Sequence, residues 1–208
     1  MSRKDRARQR DVTVAEIATR LRNAGDYLGA IVGHEAAAAA AATGPTQDLE
    51  AQKEAGRLFA RDLQAFVAAA RTAWNYLNQA ADAAGCRAWL DERLDDCLYK
   101  FHRELANQDT HAHEAILGVN QKLRWEAEAN TPMIPAPGGK LPIRVTVVAF
   151  EGMTYHYNPK ELEPDVAALY ERVLLVHGNK TVVEYALRYF DALQSTFKNA
   201  ERRGRFVA

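Results

Sequence analysis

Arg103, Asn107, His111 and Glu114 stand four, four and three residues apart in and just after the stretch FHRELANQDTHAH, Phe101 to His113. On a helix, which turns by about 100° per residue, that spacing gathers a guanidinium, an amide, an imidazole and a carboxylate on one face. Any chemistry that the chain carries is expected on this face. Arg103, Asn107 and His111 are therefore the candidate catalytic residues.

The element that would present them is a long central helix from Cys86 to Asn130. Leu90, Leu94, Cys97, Leu98, Phe101, Leu105, Ala112, Ile116 and Val119 recur mostly three or four apart along it, which predicts one buried stripe with the polar face opposite. Position 106 falls away from that stripe, so a larger side chain should fit there.

A metal is not expected. His111 and His113, two apart on a helix, point about 200° apart and cannot chelate one ion. The Glu-x-x-His pattern of helical di-metal sites is also missing, since Gln108 and Thr110 stand three residues before the two histidines. Asp91, Glu92, Asp95 and Asp96 read as a solvated acidic face. There is no glycine-rich phosphate loop, Cys-x-x-Cys pair, His-Glu-x-x-His or serine elbow, and no cofactor is expected.

Two more long helices should lie before the central one. Thr13 and Glu16 form a capping box that opens the first, and Ile17, Leu21, Ala24, Leu28 and Ile31 give it a heptad-like stripe for packing on another long helix or on a second protomer. Ala36 to Ala42 either extends it or forms a spacer, and Thr43-Gly44-Pro45 ends it. Thr46 is the expected N-cap of a second helix that runs to about Ala84 with Phe59, Leu63, Phe66, Ala70, Trp74 and Leu77 on one side. Gly85 breaks it, and Trp74 and Trp89 near that corner are read as core plugs.

After the central helix, TPMIPAPGGK carries three prolines and two glycines in ten residues, an extended loop. The β-branched run from Leu141 to Phe150, a turn at Glu151-Gly152 and a return over Met153 to Tyr157 predict a hairpin, with Tyr155, His156 and Tyr157 packing at an edge. Pro164 opens a fourth helix that ends near Gly178. A Thr181/Glu184 capping box opens a fifth. The expected fold is mainly α, a five-helix up-down bundle-like domain with a β-hairpin inserted between helices 3 and 4. Residues 13–203 form this single domain, with the hairpin at about 141–157, between a basic tail at 1–12 and a short tail at 204–208.

Composition narrows the function. The 208 residues carry 27 basic and 27 acidic side chains, so no whole-molecule field draws the chain to nucleic acid or to an anionic membrane. Neither a membrane span nor a secretory signal is read, and Cys86 and Cys97 are expected to be reduced thiols of a soluble, cytoplasmic protein.

The long helix pair, the Phe-Arg-x-Leu-type segment with Asn107 and His111, and the loop, hairpin and terminal helices after it resemble the HEPN superfamily of helical proteins. That resemblance implies metal-independent RNA cleavage at the interface of two protomers, with an arginine and a histidine as the RNase motif. Aligned on Leu105, Asn107 and His111, this chain has Ala106 where the motif arginine stands, and Arg103 is the nearest substitute. Two functions follow as expectations. One is a HEPN-like protein acting on or near RNA, as a toxin or defence component, with a degraded RNase motif. The other is a non-enzymatic helical homodimer serving as a protein-interaction module, which the loss of the motif cation favours.

Overall fold

The computed structural model describes residues 12–43, 48–108, 116–127, 133–136, 139–142 and 146–206, with the backbone alone over 121–127, 133–136, 139–142 and 146–152. The basic N-terminal segment, Thr46, His111, His113 and Glu114 lie outside the described residues. Among the described residues six helices and four strands follow in order: α1 (Val14–Thr43), α2 (Leu49–Ala83), α3 (Arg87–Arg93), α4 (Cys97–Leu105), β1 (Leu117–Ala127), β2 (Met133–Ala136), β3 (Gly139–Pro142), β4 (Thr146–Tyr157), α5 (Pro164–His177) and α6 (Val182–Arg202). The class is mainly α with an antiparallel strand pair inserted ahead of the last two helices, as expected.

Helix α1 begins where the capping box places it. Glu16 N–H donates to Thr13 Oγ1 at 3.2 Å and Thr13 N–H donates back to Glu16 Oε2 at 3.0 Å. The five-residue stripe from Ile17 to Ile31 is buried throughout and packs on α2, so its apolar face is used within the chain. The alanine tract continues α1 to Thr43, with Ala38 and Ala42 buried. Alanine removes bulk from that contact and lets the two backbones approach closely. Asp48 caps α2, accepting from Ala51 N–H at 2.9 Å.

The 45-residue central helix predicted for 86–130 is not formed. Leu94 ends α3 with φ −113°, and Asp96 then caps a fresh helix by accepting from Leu98 N–H at 2.7 Å. Helix α4 stops at Leu105, with Ala106 as its C-cap. Residues 117–127 are strand: β1 pairs antiparallel with β4, Leu117 opposite Tyr157 and Ala127 opposite Thr146, with a register shift between Lys122 and Leu123.

The hairpin is therefore not Leu141–Phe150 folded back on Met153–Tyr157. Residues 146–157 form one strand whose partner lies before the proline-rich segment, and a small β2–β3 pair, Met133 opposite Pro142, fills that segment. A chain-distant partner supplies the ladder that a turn at Glu151-Gly152 was expected to supply.

Strand β4 docks on the helices through alternate residues. Met153, Tyr155 and Tyr157 are buried, while Tyr155 stacks on Phe59 at a centroid distance of 4.1 Å and its N–H donates to Glu35 Oε1 at 3.2 Å. Tyr155 and Tyr157 are thus core residues rather than edge packing. Both α5, opened by Pro164, and α6, opened by the Thr181/Glu184 capping box, lie where expected. The tail expected from 204 is packed as far as Phe206, which is buried, with Arg205 over the Trp89 ring at 4.6 Å.

Candidate functional site

Two of the three candidate catalytic residues sit at the end of α4, and neither is free. Glu104, between them, accepts from Arg103 Nε at 2.8 Å and from Asn107 Nδ2 at 2.8 Å. Arg71, from the middle of α2, donates to Asn107 Oδ1, and the Arg103 guanidinium lies 5.6 Å from the centre of the Trp74 ring. Partial burial pushes the Glu104 carboxyl up, yet the hydrogen bonds from Arg103 and Asn107 hold it below the ordinary range. The group is an ion-pair and amide network that ties α4 to α2.

His111 lies outside the described residues. A face shared by residues 103 to 114 would need continuous helix, and α4 ends at Leu105 with turn and bend at 106–108. Among the described residues, Arg103 and Asn107 are therefore not on one continuous helix. Ala106 is half-buried and packs against the core, so position 106 is not the open site expected for a larger side chain.

The pocket beside this network, about 160 Å³, is lined in part by Trp74, Arg87, Asp95, Tyr99, Lys100 and Arg103. Its cations are already answered. Arg87 bonds Asp91 at 2.8 Å and Asp82 at 3.3 Å, Lys100 pairs with Asp95, and Arg103 with Glu104. Asp91 and Asp95 are thus paired rather than simply solvated, and such a surface holds no surplus positive charge for a phosphate. A larger groove of about 520 Å³ runs past His156, Tyr157, Tyr170 and Leu174, where His156 meets Thr154 Oγ1 at 3.2 Å.

Polar groups that the spacing did not reveal join elements far apart in the chain. His34 Nε2 meets Asp62 Oδ2 at 2.9 Å across the α1–α2 seam, and Arg61 Nε donates to Asp62 Oδ1 at 2.7 Å. The Arg61 hydrogen bond leads in holding the Asp62 carboxyl low, against partial burial. His177, the last residue of α5, meets Asp96 Oδ1 at 2.9 Å, 81 residues away in the chain. Nothing local to either histidine marks its partner.

His102 is fully buried. Its Nδ1–H donates to the Leu98 carbonyl at 3.0 Å, and its ring stacks on Tyr189 at 4.6 Å and 10°. Burial drives its pKa down to about 4, with the Leu98 bond opposing. The imidazole is thus neutral and part of an aromatic core with Phe101, Tyr157, Tyr170 and Tyr185.

Among the described residues no helix is long and apolar enough to cross a membrane. No family model matches the chain, and neither a curated protein nor a solved structure does.

Proposed function

We propose that this chain is a non-enzymatic helical module that associates with a second copy of itself. The observation that carries this reading is the engagement of both Arg103 and Asn107 by Glu104, at 2.8 Å each. The groups chosen to hold a phosphate are already holding α4 in place. Ala106 adds to it: a half-buried cap residue against the core leaves little room for the missing cation.

An apolar surface is left over for a partner. Leu175 and Val176, at the end of α5, are 86% and 68% exposed. Adjacent aliphatic side chains so far out of the core gain by burial against another chain. A second copy brings the same pair to a two-fold interface, where each protomer covers the other.

RNA cleavage separates this reading from the nuclease one. Purified protein incubated with structured RNA should leave it uncut, with parent and His111→Ala indistinguishable. New 2′,3′-cyclic phosphate ends that vanish in His111→Ala would overturn the proposal and restore the RNase reading.

A further inference from the structure

We infer that Asp96, Cys97 and His177 form a binding site for a zinc-class divalent cation, at the junction of α4 and α5. A carboxylate oxygen, a thiol sulfur and an imidazole nitrogen from these residues all lie within 4.8 Å of one another, the one such group among the described residues. Three chemically different donors converge here. Thiolate, imidazole and carboxylate together match a borderline-soft ion such as Zn²⁺, which binds at about 2.0–2.3 Å with four tetrahedral ligands. Water would fill the fourth position.

The fold brings the donors together from two separate elements. Asp96 is held by its cap bond, Oδ1 accepting from Leu98 N–H at 2.7 Å and from His177 at 2.9 Å. Cys97 follows as the first residue of α4, with its thiol sulfur within 4.8 Å of the Asp96 carboxylate. Residue 177 closes α5, after which Gly178 turns the chain with φ 74°. All three side chains are partly exposed, so an ion can reach them, and on binding it would take the place of the His177–Asp96 hydrogen bond.

Charge balances as well. On binding, the Cys97 thiol gives up its proton to solvent and His177 turns a nitrogen lone pair to the metal. The thiolate and the Asp96 carboxylate then neutralise the dication. The site would staple α4 to α5, beside the exposed Leu175–Val176 pair.

Titration of the reduced, tag-free chain with Co²⁺ tests the proposal. One equivalent should give a thiolate-to-cobalt band in the near ultraviolet and tetrahedral d–d bands in the visible, both displaced by one equivalent of Zn²⁺. Cys86→Ser should keep the bands, whereas Cys97→Ser and, separately, His177→Gln should lose them. Zn²⁺ should also raise the Tm of the parent and of Cys86→Ser. A parent without the thiolate band, or a band that persists in Cys97→Ser or is lost in a folded Cys86→Ser, would overturn the assignment. Since RNA cleavage and self-association are not read in this titration, its failure would leave the proposed function where it stands.

Discussion

Phe59→Ala is expected to lower the unfolding free energy by about 3–5 kcal/mol, the usual cost of truncating a fully buried aromatic side chain. Phe59 is 0% exposed and stacked at 4.1 Å on Tyr155, so it clamps β4 to α2. Its loss leaves a cavity under the strand, where the Tyr155 hydroxyl has no hydrogen-bond partner among the described residues. In a chain of this length the Tm should fall by roughly 10 °C, and amide exchange over Met153–Tyr157 should quicken more than over the middle of α2. A loss under about 1 kcal/mol, well below the range for such truncations, would mean that this ring pair is not what holds the strands.

The second large effect is acid sensitivity from His102. The imidazole titrates at about 4 in the folded chain against an ordinary value of 6.5. Between those values the unfolded chain binds a proton that the folded chain does not, so stability falls as the pH drops from 6.5 towards 4. The contribution is fully present above 6.5, is lost through that window and changes no further below it. Its size is roughly 3 kcal/mol. Removing the titrating group as His102→Phe keeps a ring against Tyr189, so the difference in stability between variant and parent should grow in the variant's favour as the pH falls. Denaturant unfolding at several pH values measures it. Parallel curves for the two proteins would contradict the neutral, buried assignment.

Much of the architecture could be read from local signals. Both capping boxes, the glycines at 85 and 178 and Pro164 at the head of α5 stand where the short-range chemistry puts them. These devices act within a few residues, so sequence spacing reveals them. The break between α3 and α4 was hidden because Leu90, Leu94, Leu98, Phe101 and Leu105 keep the same three-to-four spacing across it, and all five are buried. A side-chain cap from Asp96 restarted the helix in the same phase.

Strand β1 was misread for the opposite reason. Nothing local outweighed the apparent helical period of Ile116 and Val119, whereas pairing with β4, whose residue partners lie 19 to 40 positions away, decides the conformation. The candidate site was legible in part. Arg103 and Asn107 do share one small region, but their common partner is the Glu104 lying between them. Arg71 reaches Asn107 from 36 residues upstream on a different helix, and no spacing rule connects them. The His177–Asp96 contact is hidden in the same way.

Self-association is the central claim, and sedimentation velocity of the parent beside a Leu175→Glu/Val176→Glu variant tests it most directly. At low micromolar concentration the parent should sediment at twice the mass of the 23.2 kDa chain, with the dimer fraction rising on concentration. The variant places two charges on the exposed pair without touching the core and should remain a monomer with an unchanged helical circular dichroism signal. A parent that stays at 23.2 kDa throughout, or a variant that dimerises as well as the parent, would contradict the account.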